Sequence, residues 1–305
     1  MLDELKRQWH SGGMTVRLIL INVSVFLLLL AVQLVLLLMV AGGNGALAEA
    51  LRDEYVTQWL RSTADMHVLL YRPWTVITYM FTHTGLGHIF WNMLMLYFGG
   101  RYFEDLLGGR RLLGNYILGG LAGFVLYALL ANFMPALNGG PEGSAIIGAS
   151  AGVISVFVGI ATYRPQLLVN IILIGPVKLM YVAAFFVLLD LTGIGTGDRV
   201  AHEAHIGGAL FGFLAAMQLK RGTDWSLGFV NGLEKLLSML RLKRGSRLRV
   251  EKKFSRANVH SDTAYNTAKK EKQARVDAIL DKISRSGYDS LSKEEKDLLF
   301  KAGNG

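Results

Sequence analysis

Gly148-Ala149-Ser150-Ala151-Gly152 and Ala204-His205-Ile206-Gly207-Gly208 decide how this chain is read. Both stretches lie in apolar surroundings long enough to be membrane helices, and each carries one reactive side chain among residues small enough for backbones to touch. An ionisable group at bilayer depth is costly, so a histidine there reads first as functional. Set beside a serine preceded by glycine, it points to hydrolysis.

Working outward, hydrophobic residues make up 52% of the 305. Apolar runs recur at the roughly 20 helical residues needed to cross a hydrocarbon core about 30 Å thick. The expected fold is therefore an all-α membrane protein with six crossings and a small helical tail. The expected spans are Leu18 to Ala41, Leu86 to Leu107, Leu112 to Phe133, Gly148 to Tyr163, Pro176 to about Ile194, and Val200 to Leu219. The first is too long for a signal peptide's apolar core of roughly 7 to 15 residues, and reads as a retained span. Gly175-Pro176 interrupts the fifth run, and proline suits a first helical turn, which sets that helix's expected start.

Six crossings put both termini on one side, and positive charge says which. Lys6, Arg7, Arg17, Arg101, Arg110, Arg111, Arg164, Lys178, Lys220 and Arg221 fall on one face, whereas the loop from Met134 to Ile147 holds no cation, only Glu142, and the one near Gly193 has Arg199 as its only cation, beside Asp198. That face is cytoplasmic by the positive-inside rule. The division expected is a cytoplasmic N-terminus over 1–17, a membrane domain over 18–220 and a basic tail over 221–305. The connection from Gly42 to Gly85 then lies outside. It is far longer than the usual 4 to 6 residues, so structure of its own is expected, with Tyr71, Trp74, Tyr79 and Phe81 at the membrane interface.

The net charge of +9 belongs wholly to the tail, which from Lys220 onward carries 20 Lys/Arg and 11 Asp/Glu, leaving 12 of each sign before it. A basic segment after a last span reads as facing anionic lipid, not nucleic acid. Within it, Trp225, Phe229, Leu233, Leu236, Leu237 and Leu240 recur at helical spacing, followed by Arg241, Lys243, Arg244, Arg247 and Arg249. Ser255 to Thr267 reads as a linker, Gly287 as a helix stop, and Ser292-x-x-Glu295 as a capping box. The absence of cysteine excludes disulfides, thiol catalysis and cysteine metal sites.

At 16 residues, Gly148 to Tyr163 spans about 24 Å, too short to cross alone, so Ser150 lies below the outer surface in the first turn of its helix. There, free backbone N–H groups face any developing oxyanion. His205 lies at the same depth, and the pairs Gly148/Gly152 and Gly208/Gly212 would let the two helices close up so that the imidazole takes the serine proton. His88 and Asn92, four apart on the second helix, are candidate oxyanion donors. Each feature also has a plain reading: small-residue helix packing for the glycines, and an interhelical hydrogen-bonded pair for His88 with Asn92. His202-Glu203-Ala204-His205 is one residue short of the HExxH zinc spacing, and His202 reads as surface. Asp190 is the one plausible acid for a triad, though a helix-terminal polar residue is the plainer account.

His88-Ile89-Phe90-Trp91-Asn92, Gly99-Gly100 with Glu104, Gly148-Ala149-Ser150 and Ala204-His205-Ile206-Gly207-Gly208 resemble, in order and placement, the rhomboid family of intramembrane serine proteases over roughly residues 18 to 220. The resemblance implies a Ser150–His205 dyad without an acid and an oxyanion hole from His88, Asn92 and the Ser150 N–H. It also implies single-span membrane proteins as substrates and no cofactor. Ala151 stands where the family usually has glycine, and Ile154 where an aromatic often packs on the histidine. Two other classes compete: a silent relative that retains membrane clients, and a transporter lined by His88, Asn92 and His205. Intact Ser150 and His205 argue against the first, and the placing of full charges near helix ends argues against the second.

Overall fold

Long apolar runs fold as helices that carry internal glycine pairs such as Gly99-Gly100 and Gly207-Gly208, as the computed structural model shows over the residues it describes, 9, 12–171, 175–196, 200–240 and 257–303. In chain order these are α1 (Met14–Met39), α2 (Gly45–Tyr55), α3 (Met66–Tyr71), α4 (Thr75–Thr78), α5 (Leu86–Leu107), α6 (Gly109–Phe133), α7 (Pro135–Asn138), α8 (Ser150–Tyr163), α9 (Leu179–Gly193), α10 (His202–Lys220) and α11 (Trp225–Leu240). A two-stranded antiparallel ribbon, β1 (Leu168–Ile171) with β2 (Gly175–Lys178), precedes α9, with Leu168 opposite Lys178 and Ile171 opposite Gly175. Pro176 therefore does not open the fifth helix. It sits in β2, where an edge strand tolerates its missing N–H, and the helix starts only at Leu179.

Among the described residues, α1 and α6 are long and apolar enough to cross a membrane by length and composition, while α8 and α9 are apolar but shorter. Their outward faces are apolar too: Leu28 and Leu38 on α1, Phe90 and Trp91 on α5, Phe185 and Leu188 on α9, and Leu210 on α10 are all exposed. A surface of this kind suits lipid rather than water. The chain is an all-α membrane protein.

At the centre is α8, buried along most of its length through Ala151, Val153, Val156, Phe157 and Ile160. Glycine brings its neighbours in. A Cβ on Gly208 would fall 2.1 Å from the Ala151 carbonyl oxygen and one on Gly212 2.1 Å from that of Ser155, so α10 lies directly on the backbone of α8. The glycines of α8's own stretch have other duties than the expected one. Gly152 makes room for the Tyr116 carbonyl of α6, and Gly148, at φ +113°, makes room for the His88 ring.

At the opposite end, Glu104 of α5 accepts hydrogen bonds from the N–H groups of Met14 (2.5 Å) and Thr15 (2.9 Å) and from the Thr15 hydroxyl (2.8 Å). Helix α1 lacks a capping side chain of its own, so a carboxylate from α5 satisfies its first donors.

The long connection is structured, but Tyr79, expected at the membrane interface, is instead buried at 1% exposure, with its hydroxyl donating to the Gly120 carbonyl at 2.7 Å. Trp59 stacks on Trp74 at 6.4 Å and the Arg72 guanidinium lies 4.1 Å from the centre of the Trp59 ring. Ser62 and Ile146 exchange backbone hydrogen bonds of 3.0 and 2.9 Å, which fastens this segment to the loop leading into α8.

The amphipathic helix α11 occupies the expected residues, but it packs on α6. Gly114 leaves space for the Ser226 carbonyl, Arg111 pairs with Asp224 at 2.5 Å, and Arg110 reaches Asn231 at 2.8 Å. A first compact unit runs to Leu242. A second unit, Lys243–Gly305, contains α12 (Ala257–Ser286) and α13 (Lys293–Gly303). Within it Ile279 and Leu291 are buried, and Lys282 pairs with Glu295 at 2.9 Å. Gly287 stops α12 at φ +79°. Ser292 and Glu295 form the reciprocal capping box, at 2.7 and 3.3 Å. The stretch read as a linker is helical from Ala257 onward, because it has no glycine or proline to break it. Lys6, Arg7, Arg199 and the basic run from Arg241 to Arg249 lie outside the described residues.

Candidate active site

Ser150 opens α8 and His205 lies in the first turn of α10, so the glycine contacts that join the two helices bring both side chains to one place. Ser150 Oγ and His205 Nε2 are 2.7 Å apart. On the far side of the ring, His205 Nδ1 is 2.7 Å from Asp190 Oδ1, near the C-terminal end of α9. A carboxylate offers no proton, so Nδ1–H is the donor there, which leaves Nε2 to accept from the Ser150 hydroxyl. The neutral tautomer required of a general base is thus set by Asp190.

Two expectations change here. Asp190 is not merely a helix-terminal polar residue, since it is 8% exposed and bonded to the histidine. His202 is not surface: its Nδ1 lies 2.8 Å from the same Asp190 Oδ1, and its side chain is 14% exposed. Gly193 makes this possible, because a Cβ there would sit 2.3 Å from His202 Nε2. Asp190, His202 and His205 together place one ligating atom each within 4.8 Å of one another.

The backbone ahead of Ser150 is held from the long connection. Gly148 N–H donates to the Tyr79 carbonyl (2.9 Å), and Ala149 N–H donates to His83 Nε2 (3.3 Å). Burial first, and His88 second, push the His83 imidazole down to about 3, so it stays neutral and able to accept. The His83 and His88 rings meet edge to face at 4.9 Å. His83 sits between helices in the stretch after Phe81, where no periodicity points inward, so its inward placement is not legible from pattern alone.

His88 and Asn92 lie on one face of α5, and both border a cavity of about 590 Å³ that Ser150, Ile154, Asp190 and His205 also line. One Asn92 Nδ2 hydrogen is taken by the His88 carbonyl at 2.9 Å; the amide has a second donor. All four residues singled out from the sequence therefore share one cavity. The arrangement holds a nucleophile, a base with an oriented tautomer, and polar donors across an apolar-walled space, which is the equipment of acyl transfer.

Comparison with known proteins is consistent with this geometry. A family model described as the rhomboid domain matches residues 71–222. RHOMBOID-like protein 12, mitochondrial, of Arabidopsis thaliana is 29% identical over 157 residues, 48% of this chain and 47% of that protein. Presenilin-associated rhomboid-like protein A, mitochondrial, of Danio rerio is 32% identical over 137 residues, 43% of this chain and 34% of its own length. Inactive RHOMBOID-like protein 8 of Arabidopsis thaliana is 33% identical over 76 residues, 25% of this chain and 22% of that protein. The chain thus aligns with half or less of each relative's length. Residues 260–301, in the second unit, match a family of unknown function (DUF6576).

Proposed function

The chain belongs to the rhomboid family, and we propose that it is an intramembrane serine endopeptidase that cleaves single-span membrane proteins near the outer face. The observation that carries this reading is the hydrogen-bonded series Ser150 Oγ, His205 Nε2, His205 Nδ1, Asp190 Oδ1, with links of 2.7 Å at both ends. Ser150 Oγ attacks the scissile carbonyl as His205 Nε2 takes its proton, and the imidazolium that forms is stabilised by Asp190. The oxyanion lies against the Ser150 N–H in the first turn of α8, with Asn92 and His88 as further donors. His205 then protonates the leaving amine, and water releases the acyl group by the same base in reverse.

In this reading α1, α5, α6, α8, α9 and α10 supply six crossings with both termini cytoplasmic, in a membrane of the bacterial inner type. The 14 residues of α8 span about 21 Å, so Ser150 lies below the surface, where a substrate helix must unwind to present its backbone. The basic residues of the tail face anionic lipid rather than nucleic acid. The test is covalent labelling by a serine-directed fluorophosphonate, located by peptide mass spectrometry. Modification of Ser150 that is lost in His205→Ala supports the reading, and an unlabelled Ser150 in folded protein overturns it.

A further inference from the structure

The hydrolytic reading leaves one part of the site unused: His202, on the same oxygen of Asp190 as the catalytic base. We propose that Asp190, His202 and His205 form a binding site for a divalent transition-metal ion, zinc above all, and that occupancy switches the serine off. The donor set is one carboxylate oxygen and two imidazole nitrogens, mutually within 4.8 Å. An ion bound at about 2.0 to 2.2 Å from each needs ligand atoms no farther apart than about 4 Å, so small side-chain rotations suffice. Each side chain is 11 to 14% exposed and is carried by a helix, with His202 and His205 three apart on α10 and Asp190 on α9. Three protein ligands with the fourth position open to the cavity is a set that zinc accepts.

The consequence for catalysis follows from the histidine's two nitrogens. In the metal-free site Nδ1 carries the proton and gives it to Asp190, while Nε2 offers its lone pair to the Ser150 hydroxyl. A metal ion needs the lone pair of Nδ1. The neutral ring's single proton then resides on Nε2, where it points at Ser150 Oγ and leaves no acceptor for the serine proton. The ring loses no proton overall; the tautomer changes and the base is gone. At the same time Asp190 gives its charge to the cation and no longer stabilises an imidazolium.

The inhibition rests on the protease reading, whereas the binding does not, and the experiment separates them. Full-length Ser150→Ala protein in detergent keeps all three ligands and performs no turnover. Titrated with Co²⁺ it is expected to develop the visible absorption of a four-coordinate site at one equivalent, displaced by Zn²⁺. His202→Ala in that background should weaken binding by about tenfold or more, as should His202→Gln, which keeps size and polarity. In the serine-containing chain, Zn²⁺ should abolish cleavage of a model transmembrane substrate, EDTA should restore it, and His202→Gln should retain its own activity at a Zn²⁺ concentration that silences wild type. Failure of Ser150→Ala to bind one equivalent, or binding indifferent to both His202 variants, would overturn the site. Binding that leaves wild-type cleavage intact would overturn the switch. Stoichiometric binding by a chain that never cleaves would sustain the site and refute the protease instead.

Discussion

Asp190→Ala tests whether the carboxylate is part of the catalytic unit. Asp190 Oδ1 accepts from His205 Nδ1 at 2.7 Å in a site where it is 8% exposed, so the bond is charge-assisted and poorly shared with water. Hydrogen bonds to charged groups contribute about 1.5 to 3 kcal/mol. At 1.36 kcal/mol per tenfold in rate, their loss from the transition state predicts a fall in kcat of about 10- to 150-fold. KM should hardly move, because Asp190 acts on the base and not on the substrate. Asp190→Asn should be worse. If its amide turns an N–H toward the ring, Nδ1 must present a lone pair and Nε2 the proton, the wrong tautomer, for which losses near 10⁴ are typical of Ser-His-Asp sites. The assay is steady-state cleavage of a fluorogenic transmembrane substrate in detergent. A kcat within about twofold of wild type for Asp190→Ala would show that the base needs no carboxylate and return the site to an unaided serine–histidine pair.

Asn92→Ala removes one oxyanion donor and should lower kcat by about 10² to 10³, with an unchanged melting temperature as the control. Gly208→Ala places a Cβ where only 2.1 Å separates it from the Ala151 carbonyl oxygen, forcing α10 off α8; a displacement near 1 Å is expected to cost about 10² in rate. His83 is pushed down from the ordinary histidine range to about 3, so below about pH 6.5 the unfolded chain takes up a proton that the folded chain refuses. Stability is therefore full above that pH and declines toward pH 3, by up to about 1.4 kcal/mol per pH unit from this one group. His83→Asn should flatten the acid side of a melting-temperature profile, and an unaltered slope would contradict it. Removal of residues 241–305 should preserve cleavage in detergent, while removal after Arg221 also strips α11 from Gly114 and Arg111 and should lower the melting temperature measurably.

The helices were legible because the apolar runs are long, and α5 runs from Leu86 to Leu107 as the pattern indicates. The start of the fifth helix is not legible, because proline fits an edge strand as well as a first turn, and only pairing with Asn170 decides between them. Ser150, His205, His88 and Asn92 could be collected by depth alone, without knowing any contact. Asp190 carried the same depth signal, at the outer end of its span, but depth does not tell which way a carboxylate points. The placing of His202 is hidden for a related reason. One turn of helix separates it from His205, and whether it meets water or Asp190 depends on Gly193 of a different helix. The glycines of α8 show the same limit, since small residues announce a close approach without naming the partner, which for Gly152 is Tyr116. Gly114 likewise gave no hint that it seats α11.

On the proposed function, Ser150, activated by His205, cleaves peptide bonds of membrane-spanning substrates. The most direct measurement is incubation of the purified full-length chain with a single-span model substrate, wild type beside Ser150→Ala, with products identified by mass spectrometry. Wild type is expected to cleave within or beside the substrate's apolar segment, and Ser150→Ala to leave it intact at equal folded concentration. Equal cleavage by both, or an intact substrate with both, would contradict the proposed function.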